Sequence, residues 1–175
     1  MSQTTSGRQN VAIGSGALKA NQNTSNNVAI GYKALNEQST SGGLNTAVGY
    51  AAMMKNDGWA NTAIGTTAMT NAVSSIGNVA MGSGALEDAL QTTSSVALGL
   101  DASHSAKYNL YNVAIGANAL YLNGASLSSM PDGNNTITST KNVAVGYNSL
   151  YYNDTGHNNV AIGSQALQSN SSGFD

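Results

Sequence analysis

The sequence of 175 residues has no cysteine, only one proline and few charged side chains. The absence of cysteine excludes disulfide bonds, cysteine-liganded zinc and thiol chemistry. Six basic residues and a net charge of −2 provide no basic surface for nucleic acid. No run of about 18 apolar residues occurs, so we expect no membrane insertion. What the chain does have is 20 glycines and a short motif that returns throughout its length.

The motif consists of Asn, Val or Thr, Ala, an apolar residue and Gly, followed after two variable residues by a small residue and Leu or Met. The leading Asn is present in eight of nine copies, with Ser95 in the sixth, and the Ala and the Gly are present in all nine. The motif glycines are spaced by 17, 18, 16, 17, 17, 17, 30 and 17 residues and are Gly14, Gly31, Gly49, Gly65, Gly82, Gly99, Gly116, Gly146 and Gly163. A period of about 17 residues, interrupted once, indicates a tandem-repeat protein.

Each copy predicts one short β-strand. Val11 and Ile13 of the first copy are two residues apart and share one face of a strand, while Ala12 points the other way. β-Branched residues favour extended backbone, and Gly14 then predicts a sharp turn. A unit this short cannot bury its apolar side chains alone, so the strands of successive units must stack. We expect Val and Ile to fill the coil interior, and the recurrent Asn to lie at a corner and bond from coil to coil.

The alanine in the middle of each strand forms a column of nine small side chains. A solvent-facing strand position would vary more, so we interpret this column as an interface between chains. The alternative is a coil too narrow for larger side chains. The predicted interface residues are Ala12, Ala29, Ala47, Ala63, Ala80, Ala97, Ala114, Ala144 and Ala161.

The repeated Asn-Val-Ala-Ile-Gly with its following Ala-Leu, from Asn10 to Leu167, resembles the head repeats of trimeric autotransporter adhesins and the related repeats of phage tail fibres. The resemblance implies an all-β fold, a single-stranded left-handed β-roll in which three chains pack side by side. A period of about 17 residues is longer than that of the autotransporter heads. No coiled-coil stalk or membrane-anchor segment follows the repeats, which favours a fibre setting.

The repeats also predict how the chain is divided. We expect a lead-in over 1–9, β-roll coils one to seven over 10–122, an inserted loop over 123–141, coils eight and nine over 142–170, and a tail over 171–175.

Residues that could carry chemistry are few and scattered. The eight acidic residues fall mostly between the predicted strands, and His104 and His157 are not in a metal-binding spacing. There is no phosphate-binding or dinucleotide-binding glycine motif. We expect no catalytic residues, no metal and no cofactor.

Aromatic side chains around the insertion are better candidates for contact with a partner, because they offer large amphipathic surfaces. The insertion contains a strong turn signal at Met130-Pro131-Asp132-Gly133, and insertions in solenoids map to one face. The predicted receptor contacts are Tyr121, Met130, Asp132, Tyr151 and Tyr152. The other interpretation of these tyrosines is packing at coil edges or between chains.

Together these features predict a homotrimeric structural or adhesive fibre segment. Its location would be extracellular, in a virion tail fibre or on a bacterial cell surface, and its external partner a cell-surface glycan or protein. The alternative is a monomeric β-solenoid that binds carbohydrate or ice. A continuous Thr row would favour ice, but only Thr46 and Thr62 occupy the first strand position, against Val in the other seven copies.

Overall fold

The computed structural model describes residues 6–37, 42–124 and 139–174. These residues form an all-β parallel solenoid of about eight turns and contain no helix. The repeat motif supplies the main sheet, whose nine strands pair in parallel in order along the chain. They are β1 (Val11–Ile13), β2 (Val28–Ile30), β3 (Thr46–Val48), β4 (Thr62–Ile64), β6 (Val79–Met81), β8 (Val96–Leu98), β10 (Val113–Ile115), β12 (Val143–Val145) and β14 (Val160–Ile162).

Two smaller parallel sheets form on other sides of the coil, from the polar segments between motifs. The second sheet contains β5 (Ser74–Ile76), β7 (Gln91–Thr93) and β9 (Tyr108–Leu110), and the third contains β11 (Leu122–Asn123) and β13 (Tyr152–Asn153). In all three sheets equivalent repeat positions pair directly, as Ala12 pairs with Ala29. The insertion therefore leaves the register intact, and Ala114 pairs with Ala144 across it.

The motif glycine ends each main strand, as predicted. Gly82 has a φ of 139° and stacks on the backbone of Gly99 so closely that an added Cβ would overlap its carbonyl oxygen. Both the left-handed φ and the close approach require glycine. The left-handed corner before the next strand is occupied by the residue that precedes the recurrent Asn, for example Asn26 or Tyr111, rather than by that Asn itself.

The core of the coil contains Ala, Leu and Met. The middle alanines of the main strands face the inside of the coil. All are buried except the half-buried Ala12 of the first strand, and most have an exposed fraction of 0%. The second apolar pair of each repeat, such as Ala34 and Leu35, packs against them. The prediction that Val and Ile fill the interior is therefore wrong: Val11 is 45% exposed and Ile13 58%. The interior of each coil is already filled by the Leu or Met of the second apolar pair. Only a side chain as small as that of alanine fits beside it from the strand.

The same burial corrects the predicted chain–chain interface at Ala12, Ala29, Ala47, Ala63, Ala80, Ala97, Ala114, Ala144 and Ala161. These side chains face the core of their own chain and, except for the half-buried Ala12 of the first strand, have almost no surface to offer a second one. The alternative interpretation, a narrow coil, describes their environment.

The predicted limits of the inserted loop are also too wide. Asn123 lies in β11 and pairs with Asn153, and the N–H of Gly124 donates to the carbonyl of Asn153 at 2.9 Å. On the other side, the carbonyl of Ser139 accepts hydrogen bonds from the amides of Asn112 and Asn123, so Ser139 already belongs to the coil. The rest of the insertion, 125–138, lies outside the described residues.

The recurrent asparagines form a buried ladder along one corner, which confirms the expected coil-to-coil bonding. The Oδ1 atom of Asn61 accepts hydrogen bonds from the backbone N–H and the Nδ2 of Asn78, at 3.0 and 2.9 Å. Its own Nδ2 donates to the carbonyl of Ser75 at 2.7 Å. Each amide thus joins its own coil to the next and satisfies buried backbone groups at the corner.

Candidate functional site

The outer face of the main sheet is a continuous surface across all nine of its strands. It consists of the first and third residues of the nine strands, which alternate with the buried alanine. All of these positions are apolar except Thr46 and Thr62, and none is charged. We call this surface the apolar face. With strands about 4.8 Å apart, it is about 38 Å long, and its two columns are about 7 Å apart.

Exposure along the apolar face is continuous from the first strand to the last. Ile64, Met81 and Ile115 in the middle are more than a third exposed, and Ile162 at the end is 71% exposed. Sequence analysis assigned these side chains to the interior because apolar residues are usually buried. A signal in the sequence could have shown the correct orientation. The middle position of every main strand is alanine, whereas the first and third are larger, which indicates that the middle position faces the narrow interior.

Aromatic and apolar side chains extend the apolar face past the strand ends. Tyr32 and Tyr50, each directly after a motif glycine, stack with ring centroids 5.4 Å apart. Leu100 and Tyr147 occupy the same repeat position and are more than half exposed. These residues border the apolar face along one edge.

A second group of aromatic residues lies at the fifth position after the motif glycine, where successive coils place equivalent side chains one above another. His104 stacks on Tyr121 with centroids 5.1 Å apart, and Tyr121 stacks on Tyr151 at 5.0 Å. His104 Nε2 also lies 3.5 Å from a carboxylate oxygen of Glu87, the equivalent residue of the preceding coil. We call Glu87, His104, Tyr121 and Tyr151 the edge stack.

The edge stack determines what the predicted receptor contacts can offer. The rings of Tyr121 and Tyr151 cover each other's faces, whereas Tyr152 packs edge-on against Tyr151 and is 52% exposed. Burial raises the pKa of Tyr151, and the neighbouring Tyr152 raises it further. The structure therefore brings three of the five predicted residues together, while Met130 and Asp132 lie outside the described residues.

Groups suited to chemistry remain dispersed in the described part of the chain. Apart from the contact between Glu87 and His104, no ion pair is found among these residues, and no three of their His, Asp or Glu side chains gather as a metal site would require. In residues 6–37, 42–124 and 139–174 there is also no helix of the length and apolarity needed to span a bilayer.

No family model, curated protein or solved structure matches this chain.

Proposed function

We propose that the chain is a segment of a homotrimeric fibre, in which three left-handed β-rolls lie side by side and present a surface for attachment to a cell. The observation that carries the proposal is the uncharged apolar face, which runs the whole length of the main sheet. Monomeric soluble proteins rarely expose contiguous apolar patches larger than a few hundred Å². Association of copies would remove this face from water.

The size of the apolar face favours three chains over two. From its length and width, the strip between its two columns supplies about 270 Å² per chain, about a third of what one partner buries in a standard pairwise interface. In a trimer each chain contacts two others, so the bordering residues Tyr50, Leu100 and Tyr147 are covered as well as the strip itself. The resemblance of the repeats to those of trimeric adhesins and tail fibres points to the same number.

Assembly is tested by the mass in solution together with two matched substitutions. Wild type is expected at three times the chain mass of 17.7 kDa. Val113 lies outward on β10, the seventh of the nine strands, so Val113→Glu would bury three carboxylates between the chains of the trimer and is expected to give folded monomers. Gln91→Glu introduces the same group on the outer side of the second sheet and should leave the trimer intact.

A wild-type mass of one chain would reject the proposal. So would a Val113→Glu variant that keeps the wild-type mass. Circular dichroism shows whether each variant retains the β-fold and separates loss of assembly from unfolding.

The attachment part of the proposal is supported by the exposed tyrosine beside the insertion. If that region contacts a receptor, Tyr152→Ala is expected to weaken binding of the intact oligomer to whole cells by about tenfold, the loss of one well-packed aromatic contact. Tyr111→Ala removes an equally exposed ring at a corner of the coil and serves as the control. Equal binding by the two variants would remove the role of Tyr152.

A further inference from the structure

The second sheet continues toward the first coils through isolated pairings that produce a cleft. Gly43 pairs with Trp59, and Trp59 pairs with Ile76, so these three residues occupy one outward column in successive coils. Because Gly43 has no side chain, nothing at this position covers the side of Trp59 that faces the preceding coil. A Cβ at Gly43 would lie 2.9 Å from the carbonyl oxygen of Ser25, so the close stacking of the coils itself requires glycine here.

The resulting cleft has a volume of about 680 Å³, within the range of roughly 300–1,000 Å³ that is usual for small-molecule sites. It is open to solvent and lies outside the apolar face, on the sheet beyond the corner of the coil. Trp59, the one tryptophan of the chain, is 56% exposed there. The indole is therefore accessible to a ligand in the cleft.

The lining of the cleft combines apolar and polar groups. Leu44 and Ile76 accompany Trp59, and all three are exposed. Two polar residues also line the cleft: Asp57, two residues before Trp59, and Asn26, at the corner of a preceding coil. The cleft therefore offers an aromatic surface, carboxylate acceptors and an amide that both donates and accepts.

We propose that this cleft binds an uncharged saccharide, with the C–H face of one pyranose ring against Trp59 and its hydroxyl groups bonded to Asp57 and Asn26. A pyranose has an apolar face and a rim of hydroxyls, which matches an aromatic ring flanked by an acceptor and an amide. The negative charge of Asp57 disfavours uronic and sialic acids, because like charges would meet in the cleft. The site lies within one chain and goes beyond the proposed fibre function.

The single tryptophan provides the measurement. Titration of the intact protein with maltotriose, cellotriose and N,N′,N″-triacetylchitotriose is expected to give a saturable change in tryptophan fluorescence with at least one of them. The sialylated trisaccharide 3′-sialyllactose is expected to give none. A response to none of the three neutral trisaccharides overturns the proposal, as does a response confined to the sialylated one.

Variants identify the groups responsible, with binding measured by calorimetry since Trp59→Ala removes the fluorophore. Trp59→Ala is expected to weaken binding at least tenfold, while Trp59→Tyr, which keeps an aromatic ring, loses less. Asp57→Asn is expected to weaken binding several-fold and to reduce the discrimination against 3′-sialyllactose. The control Tyr111→Ala removes an equally exposed ring from a corner beyond the cleft and should bind as wild type does.

Wild-type affinity in Trp59→Ala overturns the assignment. The mass in solution separates this inference from the fibre proposal: saccharide binding by a protein with the mass of one chain would support the cleft and reject the trimer. A trimer without saccharide binding would do the reverse.

Discussion

At the scale of single residues, buried polar side chains hold the coil together. The asparagine ladder gives the backbone N–H groups at one corner an acceptor in the preceding coil, and the sixth copy shows what that requires. There the backbone N–H of Asn112 donates to the hydroxyl of Ser95 at 3.2 Å, while the N–H of Ser95 donates to Oδ1 of Asn78 at 2.9 Å. An acceptor at this position is therefore the essential feature, and the hydroxyl of Ser95 also donates to the carbonyl of Asn109 at 3.1 Å, as the amides of other copies do at the equivalent position.

This role predicts that stability decreases from wild type to Asn61→Ser to Asn61→Ala. In Asn61→Ala, the N–H of Asn78 and the carbonyl of Ser75 lose buried partners, and we expect a loss of roughly 1–3 kcal/mol in the free energy of unfolding. Asn61→Ser restores an acceptor of the kind seen at Ser95 and should be less destabilised. Urea unfolding of the three proteins measures the difference. If the serine variant is no more stable than the alanine variant, the ladder does not act through its acceptors.

At the scale of the strand, the sequence predicts position and pairing better than orientation. The Val-Ala-Ile pattern and the motif glycine are enough to place all nine main strands, because β-branched residues and a required left-handed φ leave few alternatives. In a strand of three residues the first and third side chains lie on one face and the second on the other, and this pattern does not determine which face is inside. That choice is made by the rest of the coil, where Leu35 and its equivalents fill the interior and leave space only for alanine.

The sequence predicted some of the candidate surfaces better than others, depending on whether their residues are close together in the sequence. The tyrosines at 121, 151 and 152 were found because they cluster near the insertion in the sequence. Trp59 and Gly43 fall between motifs. The cleft beside Trp59 can be recognised only when successive coils are aligned, because Gly43 then occupies the position equivalent to Trp59 in the preceding coil. A search limited to the conserved pattern of the repeat cannot find a site made by departures from it.

The edge stack, which adjoins β11 and β13, leads to a prediction about alkaline pH. Because burial raises the pKa of Tyr151 above its ordinary value of 10.0, the folded chain retains this proton at pH values where the unfolded chain has lost it. The stabilisation is complete below pH 10.0 and is lost as the pH rises through the folded-state pKa. Tyr151→Phe has no proton to lose, so its midpoint of thermal unfolding should fall less steeply with pH above this value.

Tyr111→Phe is the matched control, since that ring is more than half exposed. Identical profiles for the Tyr151 and Tyr111 variants would show that the proton of Tyr151 does not contribute to stability.

At the scale of the whole molecule, each coil contacts its neighbours through the same set of bonds. Main-sheet strands pair residue for residue. The equivalent asparagines, leucines and glycines likewise form columns that run from coil to coil. In such a fold, stability is approximately a sum of coil and interface contributions. The intact register across the insertion, where Val113 pairs with Val143, shows that extra residues between coils are tolerated when the winding is resumed in phase.

The same modularity predicts that one complete coil can be removed. Deleting 78–94 joins Gly77 to Ser95, so that Thr62 would pair with Val96 and β5 with β9, with every column continued. We expect this protein to keep the β-fold by circular dichroism and to unfold cooperatively, with a denaturant m-value lower by roughly a tenth, as the buried surface decreases. Deleting only 78–86 removes about half a winding and puts the following residues out of phase, and this variant should fail to fold. If the out-of-phase deletion is as stable as the in-phase one, the columns of stacked equivalent residues are not what stabilises the solenoid.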